Sequence, residues 1–127
     1  MKVIYIIGPY RAATEAGVAR NIVRARGLAE TVWGLGHAAL CPHLNTAFMG
    51  GLVSDEIFLA GGLLLLEKCD AAVCAPRWQS STGSVAEMNH AAAKGIPVFD
   101  SVVDLVAWFK DTDRSKQRHG EEIGPRG

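Results

Sequence analysis

The sequence predicts a single α/β domain, a parallel sheet of four or five strands with helices on both faces. Two observations carry this. Val3-Ile4-Tyr5-Ile6-Ile7 and Ala71-Ala72-Val73-Cys74-Ala75 are continuous apolar runs rather than alternating ones, which is the pattern of strands covered on both sides. Between and after such runs the chain turns to helical spacing, and strands alternating with helices give a parallel sheet.

The elements follow in order. The first strand ends at Gly8-Pro9 and is followed by Tyr10-Arg11. A helix is expected from about Glu15 to Leu35, because Val18, Ile22, Ala25, Ala29 and Val32 make one apolar stripe. Gly36 suits its C-terminal cap. His37 to Cys41 reads as a second strand stopped by Pro42, and His43 to Thr46 with Gly50 and Gly51 as a long loop. Ser54 can cap a helix from Asp55 to Lys68 that is apolar almost all round, as expected of a buried helix or one at a subunit contact. The third strand, a polar loop and a helix ending at Lys94-Gly95 come next. Ile96 to Phe99 is the fourth strand, and a last helix runs from Ser101 to about Lys110. Residues 1–110 are expected to form the domain and 111–127 a polar, disordered tail. A flavodoxin- or Rossmann-like strand order 2-1-3-4 would place the switch point between strands one and three.

Composition narrows the function. The 127 residues are 49% hydrophobic and 20% charged, enough for one core. Thirteen basic residues balance thirteen acidic ones, so a nucleic acid polymer is not an expected partner. Three cysteines without a CxxC pair point to a reducing compartment, with no disulfide framework and no zinc site. The amino-terminal apolar run is too short for a signal peptide, and Ile57 to Leu66 falls short of the ~20 residues a membrane span needs. The expectation is a soluble cytoplasmic protein with no metal or cofactor.

The stretch from Gln79 to His90 is the candidate centre of function. Small polar residues and Gly83 lead from the third strand into a helix, and a helix start offers free N–H groups and partial positive charge to an anion. Glu87, read as a first-turn residue, has two interpretations. Ser84-Val85-Ala86-Glu87 fits a capping box. A carboxylate held at the mouth of a sheet also serves as a nucleophile or base. Gly8 to Arg11 and Pro76 to Ser84 both fall at the carboxyl ends of strands beside the expected switch point, where ligands bind.

These pieces together resemble the nucleoside 2-deoxyribosyltransferase-like superfamily, which includes the 2'-deoxynucleoside 5'-monophosphate N-glycosidases. The resemblance covers roughly residues 3 to 99. It rests on Val3-Ile4-Tyr5-Ile6-Ile7-Gly8-Pro9-Tyr10, Gly36-His37, Lys68-Cys69-Asp70, Ser81-Thr82-Gly83-Ser84 with Glu87, and Gly95-Ile96-Pro97-Val98. It implies N-glycosidic cleavage or deoxyribosyl transfer on a nucleoside or its 5'-monophosphate. Glu87 would be the nucleophile and Tyr5 its orienting partner. It also implies that Ser81, where transferases tend to carry Asp, bonds a phosphate. The family's second carboxylate, eight residues before the Asp that opens the third strand, is replaced here by Gly62. Asp70 itself is expected to be structural, at a buried strand start.

Other candidates lie around this centre. Gly8, Tyr10, Gly83 and Ser84 are placed to line a substrate site. His43 and Asn45 suit either the satisfaction of loop backbone groups or contacts to a sugar or base. Trp78 suits stacking on a nucleobase or packing beneath the loop. Arg11 and Arg77 suit a phosphate or solvent. A non-catalytic nucleotide-binding or sensor domain of the same fold is the alternative function, favoured by Gly62. A response regulator is disfavoured because the first strand lacks an acidic cluster. The apolar helix from Ile57 to Leu66 predicts a homo-oligomer, a dimer or larger.

Overall fold

A computed structural model describes the backbone of residues 1–123 and the side chains of residues 1–115. Four parallel strands, β1 (Val3–Ile7), β2 (Ala38–Leu40), β3 (Ala71–Cys74) and β4 (Val98–Phe99), lie in the order β2-β1-β3-β4. The expected order is therefore observed, with the switch point between β1 and β3. Tyr5 sits opposite Ala72 and Ile7 opposite Cys74.

Alternation along β1 and β3 separates two cores. Ile4, Ile6, Ala71 and Val73 face α1 (Glu15–Gly34) and α5 (Val102–Ile123), meeting Ala25, Ala29, Val32, Leu105 and Phe109. Tyr5, Ile7, Ala72 and Cys74 face the other way, toward α3 (Asp55–Leu66) and α4 (Thr82–Ala93), meeting Leu66 and Ala91. Both faces of the sheet are covered, which is why the central strands carry no polar alternation.

Five local expectations are corrected. His43 to Asn45 belong to a short helix, α2 (Pro42–Asn45). Pro42 is its first residue, where the missing N–H costs nothing. The last helix does not stop near Lys110 but continues to Ile123. Residues 111–123, expected as disordered tail, are therefore helical, with an i,i+3 pair between Arg114 and Asp111. Residues 124–127 of that expected tail lie outside the described residues. Asp70 is exposed rather than buried, yet its role is structural: Oδ2 accepts the N–H of Val3 at 2.7 Å and ties β3 to β1. In α3 only Leu66 is buried, while Ile57 is 59% and Leu64 58% exposed. One small sheet cannot cover a helix that is apolar all round.

Candidate active site

The site is built at the carboxyl edge of β1 and β3. β1 leads into Gly8-Pro9, and β3 leads through a 3-10 turn at Trp78–Ser80 into α4. The two strand ends are held together by the N–H of Ala75 donating to the carbonyl of Ile7 at 2.7 Å. Gly8 is required by that closeness, since a β-carbon on it would stand 2.9 Å from the β-carbon of Ala75.

Helix α4 begins one turn earlier than Ser84-x-x-Glu87 suggests. Ser81 is the N-cap, and its Oγ accepts the N–H of Ser84 at 3.2 Å. The N–H of Val85 donates to the Ser81 carbonyl. The capping-box interpretation of Glu87 is thereby overturned: Glu87 is the sixth residue of α4, not a first-turn residue. The amides expected to meet an anion change as well. Ser84 and Val85 are satisfied, and the first-turn amides of Thr82 and Gly83 have no acceptor among the described residues. A β-carbon at Gly83 would meet nothing within 4 Å, so packing does not demand the glycine.

From that start, Ser84, Glu87 and Ala91 fall at i, i+3 and i+7 on one face of α4. Ser84 and Ala91 are buried against the sheet. Glu87 shares that interior with Tyr5 and Cys74. Burial raises the Glu87 carboxyl from the ordinary carboxylate range to about 7, and the Tyr5 hydroxyl opposes the rise. Burial and the neighbouring Glu87 both raise Tyr5. The Cys74 thiol is pushed up to about 12, by burial first, with Glu87 among the lesser causes. Tyr5 and Glu87 are thus electrostatic neighbours: the Tyr5 hydroxyl is close enough to lower the Glu87 carboxyl, yet it is fully buried without a well-formed hydrogen bond to any described residue. The Ser84 hydroxyl is also buried and has no partner among the described residues. Two orphaned hydroxyls beside a carboxyl of raised pKa are an expensive arrangement to keep for stability alone.

On the α3 side the same space is bounded by Gly62, where a β-carbon would lie 3.0 Å from the Tyr5 hydroxyl. The absent side chain leaves room for the tyrosine head. Alternation along the strands could have placed Cys74 here, since Tyr5 and Cys74 point to the same face of the sheet.

The outer candidates divide. Tyr10 is 40% exposed, and Arg11 is paired with Asp55 at the start of α3, both largely in solvent. His43 is only 6% exposed, and its Nε2 lies 3.0 Å from the carbonyl oxygens of both Gly8 and Pro9. Those contacts use the ring within the chain, so the expected sugar or base contact is not available to Nε2. Asn45 lines a separate recess with Trp33, Ala39, Leu40 and Leu65, not the space around Glu87. Trp78 is half-buried and packs against the Tyr5 side of the core, as the packing alternative expects. Arg77 is exposed at a positive φ of 68°. Asn21, which sequence reasoning did not single out, bonds the carbonyls of Tyr10 and Arg11. Its signal is faint: a polar residue beside Ile22 on the apolar stripe of α1.

With this geometry in view, comparison with known proteins gives three findings. A family model described as Domain of unknown function (DUF7768) matches residues 2–101. No curated protein matches. Among solved structures, the chain is similar to a 2-deoxyribosyltransferase from the psychrotolerant bacterium Bacillus psychrosaccharolyticus, at 19% identity and a TM-score of 0.55, covering 76% of this chain and 69% of that one. It is also similar to a 2-desoxiribosyltransferase from Leishmania mexicana, at 21% identity and a TM-score of 0.53, covering 77% of this chain and 62% of that one. The fold is that of nucleoside 2-deoxyribosyltransferase-like proteins.

Proposed function

The chain belongs to the family described as Domain of unknown function (DUF7768), and from its fold and site we propose that it cleaves or transfers the N-glycosidic bond of a 2'-deoxynucleoside or its 5'-monophosphate. Glu87 is the nucleophile and Tyr5 its orienting partner. The observation that carries this reading is the half-buried Glu87 carboxyl, raised to about 7, beside a Tyr5 hydroxyl with no hydrogen-bond partner among the described residues.

The chemistry follows from those groups. Ionised Glu87 attacks the anomeric carbon as the C–N bond breaks, and the bonding pair leaves with the base, which takes up a proton from water. The product is a glycosyl ester on Glu87. Water then releases the sugar, or a second base accepts it. Burial destabilises the free carboxylate, so its conversion to a neutral ester relieves a desolvation cost. The Tyr5 hydroxyl, without a partner among the described residues, is free to donate to the carboxylate or to an oxygen of the sugar. For the 5' end we favour a phosphate, met by Ser81 and the open amides of Thr82 and Gly83. Arg11 adds less than a free arginine would, since it must first leave Asp55.

The exposed Ile57 and Leu64 support a homo-oligomer as part of this reading. No helix among the described residues is long and apolar enough to cross a membrane. One observation favours a second reading: Gly62 stands where the resembling family has its second carboxylate, so that point of α3 offers none to protonate the departing base, as in a nucleotide-binding domain without chemistry. Incubation with a panel of deoxynucleosides and their 5'-monophosphates separates the two. Release of free base supports the enzyme, whereas tight binding without release supports the binding domain.

A further inference from the structure

The loop from Gly8 to Arg11 has a backbone feature that the reaction does not use. Its four successive carbonyls are all held by side chains from flanking helices. His43 of α2 reaches Gly8 and Pro9, each at 3.0 Å. Asn21 of α1 donates Nδ2 to Tyr10 at 3.1 Å and to Arg11 at 3.3 Å. Carbonyls only accept, so His43 must carry its proton on Nε2, with Nδ1 left facing the Cys41 thiol at 3.9 Å. Burial keeps the ring neutral by lowering its pKa. The His43 ring also meets Tyr10 edge-on, with centroids 5.8 Å apart.

We propose that His43 and Asn21 are a pair of positioning residues that fix the Gly8–Arg11 loop and so present Tyr10 and Arg11 to the ligand. The inference rests on the reading of this edge as a nucleotide site. Pro9 has no N–H and Gly8 is wedged against Ala75, so strand pairing does not extend into this loop. Without the two side chains its carbonyls would have only water to bond. With them, the loop backbone is tied toward α1 and α2, and the exposed Tyr10 and Arg11 side chains are left at the carboxyl edge, where Arg11 meets Asp55.

The test uses the full chain with His43→Leu, His43→Gln and Asn21→Asp. Gln retains a donor, while Asp keeps the size of Asn but cannot donate. Backbone order parameters for Tyr10 and Arg11 should lie near 0.85 in the wild type and fall below about 0.6 in His43→Leu and Asn21→Asp. His43→Gln should restore them. In the same variants the KM for a deoxynucleoside 5'-monophosphate should rise about tenfold with kcat within about twofold, and the two defects combined should be less than multiplicative, since both loosen one loop. Asn21→Asp keeps the test open if a leucine at buried position 43 prevents folding. Unchanged order parameters in Asn21→Asp, or a His43→Gln as loose as His43→Leu, would overturn the proposal. A wild type that neither binds nor cleaves any nucleotide would overturn the ligand role and the proposed function together. The order parameters would still decide whether the two side chains fix the loop.

Discussion

Fully buried Tyr5 on β1 and half-buried Glu87 on α4 are electrostatic neighbours, each shifting the other's titration, although the Tyr5 hydroxyl makes no well-formed hydrogen bond to any described residue. The relationship costs stability and sets a protonation equilibrium, and both consequences can be measured.

The first concerns stability. Glu87 has a folded-state pKa of about 7 against an ordinary value of 4.5. Between those values the folded chain holds a proton that the unfolded chain has lost. Stability from this group is therefore full below about pH 4.5 and declines as pH rises toward 7. Glu87→Gln has no charge to bury. The variant should match the wild type near pH 4.5 and exceed it at pH 8 by an amount on the order of 3 kcal/mol. Urea unfolding at the two pH values checks this; a variant less stable at pH 8 would return Glu87 to a structural role.

The second concerns rate. A nucleophile works as the carboxylate, so kcat/KM should rise about tenfold per pH unit below pH 7 and level off above it. A profile that instead falls through pH 7 would mean that the protonated carboxyl acts, as a general acid.

Much of this fold was legible from residue order, and the parts that were not have physical reasons. The continuous runs at Val3 to Ile7 and Ala71 to Cys74 gave the central strands, because a strand buried on both faces has no polar positions. Crossover rules then gave the strand order. The start of α4 was ambiguous because Ser81 and Ser84 both suit an N-cap. The 3-10 turn at Trp78–Ser80 sets the choice, and nothing local to Ser84 reports it. Pro42 was read as a strand stop when it is also a helix start. The loop's support by His43 and Asn21 spans 34 or 35 residues for one and 10 or 11 for the other, contacts that no short pattern encodes.

The third prediction concerns the ligand's 5' end. Ser81 caps α4 with a neutral oxygen, beside the open amides of Thr82 and Gly83. A deoxynucleoside 5'-monophosphate should bind at least tenfold more tightly than the nucleoside, a difference of roughly 1.4 kcal/mol. Ser81→Asp keeps a helix cap but adds a negative charge, and should remove most of that preference. Calorimetry showing equal affinities in the wild type would favour nucleosides as the ligands.

The fourth concerns assembly. Light scattering at micromolar concentration should give a dimer or larger species. Leu64→Glu, on the exposed face of α3, should shift it toward the monomer without unfolding, because Leu64 is 58% exposed in the single chain. A wild-type monomer would contradict the expectation.

The most direct test of the account is base release by the wild type and Glu87→Gln side by side, on the same panel of deoxynucleosides and 5'-monophosphates. The account predicts free base from the wild type and at least a hundredfold less from the variant, a loss of about 2.7 kcal/mol of transition-state stabilisation, in a protein that remains folded. Equal turnover by the two, or no base released by the wild type from any member of the panel, would contradict it.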